Sequence, residues 1–397
     1  MKRLLGALLS LSMILVIAGC GSASSNPCDN SGGKLIKVKI ASITPLSGGQ
    51  ASLGTAIANG AKIAVLDRKA ELEKAGFSLG CAPLDDQADP IIGGNMGSRA
   101  VGDKEVVGVV GTLNSGVAKT IAPLFKAPSL VMVSPANTAI VLTQSGYGSY
   151  NRIVASDAFQ GAGAARATKD TVKAKSVYVL HDKTEYGQGF AVEYVKEAKK
   201  ISLLVANGEG EGINPKDTDF SALITKIIAS KADAIFYGGI YDTASLIFKQ
   251  ADEQGYKGYF VGGDGLDDPT IVKNSGNAAN RVFYTSVADN VYGSEAGKSF
   301  VARYKKQNGP NDPPTYAVYG YDCAQVIIEA LLSYGKQNPG KTPTREDISK
   351  LVRATKGFKG LAGEVSFDAN GDNPVAKVYL FQVKDSKYPG VALGAIQ

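Results

Sequence analysis

Histidine is nearly absent: His181 is the single one in 397 residues. That scarcity excludes much. Imidazole-rich zinc sites are ruled out, and the cysteines, at 20, 28, 81 and 323, lack zinc-ligand spacing. A Ser-His-Asp triad could only use His181, which sits at a predicted strand end in "VLHDKTEYG" with no G-x-S-x-G elbow. Neither catalysis nor a metal or cofactor is expected. Charge is also modest, at 20% of residues, and the basic residues are spread along the chain. No basic stripe is interleaved with aromatics, so nucleic acid is not an expected partner. Glycine is what the chain has in quantity: the 47 glycines stand mostly at the ends of apolar runs. They mark many strand-to-helix turns, and the length allows two cores.

Long apolar runs are scarce too. The first is Leu4 to Ala18, preceded by Lys2 and Arg3. It is too short to span a membrane but suits a signal-peptide core. It runs into Ile17-Ala18-Gly19-Cys20, which resembles the lipobox of bacterial lipoproteins. The resemblance implies a signal peptide over 1–19 and acyl chains on Cys20, an anchor that two or more chains make stable. Cleavage there lowers the formal net charge from +6 to +4. Residues 20–34 form a Gly/Ser/Asn tether. Export permits disulfides, and Cys28 and Cys81 could pair, both lying near the starts of early strands. Cys323, in an apolar helical pattern, is expected to be a buried thiol.

The rest alternates strand and helix. "LIKVKIAS", "GFSLGCAPLDD", "EVVGVVG" and "SLVMVSP" predict strands, with helices between them. Pro123 is expected to shorten or kink the third helix. A second series begins after residue 155, with strands at "KSVYVLHD", "ISLLVANG", "ADAIFYGG", "GYFVGGDG" and "RVFYTSV". Phe220, Leu223, Ile224, Ile227 and Ile228 mark an apolar helix face. Two long helices follow, near 294–307 and 315–334. Asn370-Gly371 predicts a hairpin joining the strands on either side of it. Repeated strand–helix units imply parallel sheets with helices on both faces, and two series imply two lobes.

"GVVGTLNSG" (108–116) has two glycines at P-loop spacing, but Val117 and Ala118 replace the Lys and Ser/Thr that a nucleotide needs. What remains is a strand, a turn and a helix start. Its N–H groups and the Ser115 hydroxyl suit a single carboxylate better than a triphosphate. A plain cap by Asn114 or Ser115 is the simpler alternative. The next strand ends in "SPANTA" (134–139), so Ser115 and Thr138 fall on one sheet edge, where open α/β sheets bind ligands. "DKTEYG", "GGIYD" and "GGDG" follow strands of the second series in the same way. "GDGLDD" (263–268) offers either three carboxylates for a metal or one functional carboxylate and a helix cap. "DANGDNP" (368–374) begins like a calcium loop, but Asn373 replaces its glycine and Tyr379 its closing Glu, so a turn is expected.

These turns carry a resemblance. "ITPLSGGQASLGTAIANGAKIAV", "VVGVVGTLNSGVAKTIAPLF", "VMVSPANTA", "HDKTEYGQGFA", "DTDFSALITKI", "KGYFVGGDGL" and "GLAGEVSFDANGD" occur in the order found in leucine/isoleucine/valine-type substrate-binding proteins of bacterial ABC transporters. The chain resembles that family from about 36 to 385. The resemblance implies a two-lobed type I periplasmic-binding fold, α/β throughout, with three hinge crossovers. Lobe one would comprise 35–154 plus 286–362, and lobe two 155–285 plus 363–397.

By the same resemblance, Ser115 and Thr138 hold a ligand carboxylate and the Ala136 carbonyl takes its ammonium. Asp264 also meets the ammonium, and Tyr186 closes over the ligand. Gly116 and Asn137 supply backbone shape. Leu53 and Ile240 replace tyrosines common among relatives, which alters the side-chain pocket. Tyr316 and Tyr241 are candidates to refill that wall. The resemblance implies a monomeric, lipid-anchored, extracytoplasmic protein that delivers an amino acid, branched-chain or related, to a permease. A sensory receptor and an amide-binding protein of the same fold are the alternatives.

Overall fold

The computed structural model describes Cys28, residues 33–288 and residues 291–396. The expected signal peptide, Cys20 and most of the tether lie outside the described residues.

The first sheet is built from β1 (Ile36–Thr44), β2 (Phe77–Asp85), β3 (Val106–Gly111), β4 (Val131–Ser134) and β5 (Tyr150–Arg152). Its order is β2-β1-β3-β4-β5, parallel throughout. Helices α1 (Ala51–Lys74), α2 (Pro90–Gly102), α3 (Ser115–Lys126) and the short α4 (Val141–Gln144) connect the strands. All six residues of β3 are buried, as its unbroken apolar run requires of a strand covered on both faces. Asp89 caps α2 just before Pro90. Helix α3 continues through Pro123 to Lys126.

The second sheet contains β6 (Ser176–His181), β7 (Leu204–Val205), β8 (Glu211–Gly212), β9 (Ala234–Gly238), β10 (Tyr259–Gly262) and β11 (Val282–Ser286). Around it lie α5 (Asp157–Asp170), α6 (Glu185–Lys200), α7 (Ser221–Ser230), α8 (Tyr241–Glu253) and α9 (Pro269–Ser275). The chain then returns to the first sheet with α10 (Glu295–Asn308), α11 (Tyr316–Gln337) and α12 (Arg345–Arg353). Helices α1 and α11 approach closely because Gly60 faces the Ala317 carbonyl, where a Cβ would lie 1.8 Å from the oxygen. A small pair, β12 (Phe358–Lys359) and β13 (Glu364–Val365), precedes the last two strands. These are β14 (Val378–Lys384) and β15 (Lys387–Ile396), antiparallel strands that join the second sheet beside β11. The result is two α/β lobes with the chain passing between them more than once.

The expected hairpin at Asn370-Gly371 does not form. The strands before and after it pair elsewhere, β13 with β12 and β14 with β11 and β15. The turn instead folds on itself. The Asp368 carboxylate accepts from the Asn370 and Asp372 amides at 2.8 and 3.0 Å, and Gly371 O accepts from Arg152 N at 2.9 Å. The hairpin lies at Asp385-Ser386, whose φ values of 52° and 49° suit a two-residue turn of the primed kind. Among the helices that escaped the sequence reading are α5 and α12. Helix α5 is rich in Gly and Ala and has little apolar periodicity, whereas α12 is announced by a capping box from Thr344 to Asp347. The predicted strand "ISLLVANG" shrinks to the two residues of β7.

Cys28 and Cys81 are joined by a disulfide, with Cα atoms 5.1 Å apart. Cys28 O also accepts from Cys81 N, which fixes the start of the described chain on β2, at the sheet edge. Cys323 is a buried free thiol. No helix among the described residues is long and apolar enough to cross a membrane.

Candidate functional site

The carboxyl ends of β3 and β4 meet at the cleft. After β3, Asn114 stands at the cap position of α3 but makes no side-chain cap bond. Its amide reaches away to Gln50 Oε1, at 2.7 Å. The simple cap reading therefore fails for Asn114. Ser115 opens the helix with its hydroxyl buried and unpaired. Buried hydroxyls nearly always find partners, so an orphan at a helix start, beside unbonded N–H groups, is free to bond an anion.

The "SPANTA" turn after β4 is tightly built. Ser134 Oγ accepts from the amides of Ala136 (3.3 Å) and Asn137 (2.9 Å). The Asn137 amide group clasps the neighbouring turn, donating to Thr112 O and Leu113 O, each at 3.0 Å. Asn137 thus locks the two strand-end turns together through its side chain. Beneath them lies Arg152, fully buried, which donates to Asn137 O and Ala139 O and pairs with Asp372 at 2.5 Å. On this rigid base Thr138 is 0% exposed, and its hydroxyl is unpaired. Ala136, 6% exposed, lies on the same turn.

The opposite wall is centred on Asp264, 2% exposed, in a short 3-10 turn after β10. Tyr186 Oη donates to Asp264 Oδ1 at 2.9 Å, and Tyr316 Oη donates to Oδ2 at 3.1 Å. Tyr186 comes from α6 and Tyr316 from the start of α11, so the carboxylate is held from both lobes. Burial raises the Asp264 carboxyl above its ordinary pKa, and the tyrosine bonds oppose that shift. Gly263 makes the cluster possible: a Cβ there would lie 2.3 Å from Tyr186 Oη and 2.8 Å from Gln160 Oε1.

Two residues that the sequence reading missed stand between these walls. Asp157 opens α5 and its amide donates to Thr138 O at 2.8 Å. Its carboxylate lies against Thr138, yet neither oxygen is within hydrogen-bonding geometry of a partner. Burial pushes this carboxyl up to about 8; the neighbouring Thr138 hydroxyl opposes the shift and the negative charge of Asp264 adds to it. Gln160, one turn later, accepts from Asp264 N (3.1 Å) and Thr285 Oγ1 (2.8 Å) and leaves its Nε2 buried and unpaired. Both follow the short strand β5, which the sequence reading did not predict. Their signal was polarity at the start of an otherwise small-residue helix.

The remaining candidates divide. Leu53 and Ile240 are buried, and Ile240 flanks Gly265 beside Tyr186. Gly116 faces Glu185 of the other lobe, and a Cβ there would have room, 3.8 Å from the Glu185 Cβ. Tyr241 is turned to the cleft rim, where its hydroxyl donates to Gly49 O at 2.8 Å. The "GDGLDD" carboxylates diverge. Asp267 pairs with Ser286 and Tyr388, while Asp268 caps α9. Among the described residues no acidic, histidine or cysteine cluster could hold a metal. His181 accepts from Lys183 N at 3.2 Å and takes no part in the cleft.

The lobes touch across the cleft. Ser52 donates to Asp268 at 2.6 Å, and Lys119 pairs with Glu185 at 2.9 Å. Chemically, the first wall presents helix-start N–H groups and two unpaired hydroxyls, and the second presents carboxylates. Such an arrangement can hold a small molecule that is anionic at one end and cationic at the other.

Known proteins share this architecture. The chain is 29% identical over 350 residues to a Leu/Ile/Val-binding protein homolog of Brucella abortus, covering 87% of this chain and 90% of that one. It is 28% identical to a leucine-, isoleucine-, valine-, threonine- and alanine-binding protein of Pseudomonas aeruginosa, covering 84% and 87% of the two. A crystal structure of a leucine-binding protein from Thermotoga maritima superposes with a TM-score of 0.81 at 28% identity, covering 91% of this chain and 99% of that one. The sequence model for periplasmic binding proteins matches residues 37–388, nearly the whole of both lobes, and the chain belongs to that family.

Proposed function

We propose that the chain is the extracytoplasmic substrate-binding component of an ABC importer and that it carries an α-amino acid in the interlobe cleft. One observation supports this most: the Ser115 and Thr138 hydroxyls are buried without a protein partner on two adjoining strand-end turns, and Asp157, beside Thr138, and Asp264 are buried carboxylates. A zwitterion complements both walls at once. Its carboxylate binds the start of α3 and the "SPANTA" turn. Its ammonium lies among the Ala136 carbonyl, Asp157 and Asp264. The ligand docks first on lobe one, and lobe two closes with Asp264 and Tyr186. Closure is selected because these contacts exist only in the closed state. Charge-assisted hydrogen bonds in the dry cleft are stronger than in water.

The relatives' names support the ligand class, and Leu53 and Ile240 shape the side-chain pocket. The family is one of binding proteins rather than enzymes. The protein acts as a monomer, held at the membrane by acyl chains on Cys20, and passes its cargo to a permease. A thermal-shift screen of amino acids and short amides, followed by calorimetry, tests the reading. Stabilisation by α-amino acids is the expected result. Absence of binding by every amino acid overturns it.

A further inference from the structure

The contact between Ser52 and Asp268 joins residues 216 apart in sequence and links the lobes outside the two walls of the ligand site. Asp268 is 0% exposed. Its Oδ1 accepts from Thr270 N at 2.7 Å, capping α9, while its Oδ2 accepts from Ser52 Oγ at 2.6 Å. One carboxylate therefore grips the beginnings of two helices, one in each lobe. Helix α1 has 24 residues, no side-chain cap and no acid in its first turn. Its positive end is left for the other lobe to complement. The second lobe does so with two acids, Asp268 and Asp242, whose Oδ2 lies 2.7 Å from where a Gly49 Cβ would stand, and the Tyr241 hydroxyl ties down the preceding turn by donating to Gly49 O. A side chain at 49 would displace the Asp242 carboxylate from this contact.

We propose that Ser52 and Asp268 form an interlobe latch that sets how long the closed protein retains its ligand. The latch acts through the hydrogen bond between the lobes rather than through contact with the cargo. Opening exposes a buried carboxylate to the loss of one of its two partners, so the bond slows release and leaves encounter unchanged. Ser52 and Asp268 are thus positioning residues. The proposal rests on the amino-acid reading for its probe only.

The test uses the full mature chain and L-leucine, with stopped-flow rates and calorimetry on Ser52→Ala, Ser52→Thr and Asp268→Asn. Loss of a hydrogen bond to a charged group should speed leucine dissociation about tenfold or more in Ser52→Ala, with association unchanged. Ser52→Thr keeps the hydroxyl and should restore slow release. Asp268→Asn keeps the α9 cap and loses the charge, so its effect should be intermediate. Unchanged dissociation in Ser52→Ala, or failure of Ser52→Thr to restore it in a chain of unaltered Tm, overturns the latch. If the wild-type chain binds no leucine, the ligand reading fails instead. The latch is then read by small-angle scattering of the free chain. The wild type should be more compact than the Ser52→Ala/Asp268→Asn double variant, and equal radii reject the latch.

Discussion

The two walls of the cleft are finished differently. On the first lobe, Ser115 and Thr138 carry buried hydroxyls with no partner, on turns that Ser134, Asn137 and Arg152 hold rigid. On the second, Asp264 has a tyrosine hydroxyl on each carboxylate oxygen. The first wall keeps hydroxyls that no protein group bonds; the second is satisfied within the protein. The difference teaches which wall gains more when a ligand arrives. Groups that lack partners gain a whole hydrogen bond, whereas groups already bonded only exchange or share one.

Substitutions can break this contrast. The largest effect is expected from Ser115→Ala combined with Thr138→Val. Two charge-assisted bonds are lost, about 3–6 kcal/mol together, so calorimetry should find amino-acid affinity reduced at least a hundredfold. Melting should stay level or rise, because two orphan hydroxyls have gone. A fall in both affinity and Tm would show that the hydroxyls serve the fold. Asp264→Asn comes next, with a loss of about tenfold to a hundredfold. Here Tm should fall, since Tyr186 and Tyr316 keep only a neutral acceptor. An affinity within twofold of wild type would remove Asp264 from the site.

A smaller effect sharpens the comparison without mutation. The Asp157 carboxyl, pushed up to about 8, is mostly protonated at pH 7. A ligand ammonium beside it favours the charged form and lowers that pKa, so binding should release a proton. Calorimetry in buffers of different ionisation heat should then give different binding heats at pH 7. Equal heats would place the ammonium elsewhere. The smallest change is expected from Leu53→Tyr, which refills the side-chain wall. It should alter the preference between leucine and alanine by up to about tenfold, the lower end of what a pocket methylene is worth. An unaltered ratio in a competition assay would put Leu53 outside the pocket.

The two-lobed α/β architecture was legible because buried parallel strands leave unbroken apolar runs such as "EVVGVVG" and their turns leave glycines. The same logic found Ser115 and Thr138, which sit where strands end. It did not find Asp157 and Gln160, because α5 packs through small residues: a Cβ at Gly161 would lie 2.9 Å from the Glu193 Cβ on α6. A helix that packs by lacking side chains leaves no apolar stripe to read. The Asn370-Gly371 signal failed for a tertiary reason. Its flanking strands had better partners in β12 and β11, and the turn was bound by Asp368 and Arg152. The true hairpin turned on Asp385-Ser386, a pair with weaker local preference.

That late hairpin bears on how the chain is made. Strand β11 pairs with β10 on one side and with β14 on the other. Synthesis delivers β14 about ninety residues after β11, with three helices of the other lobe between them. Until Val378 emerges, the apolar β11 stands as an open sheet edge, the kind of surface that recruits foreign strands. The second sheet therefore gains its last strands long after the first sheet has all of its own.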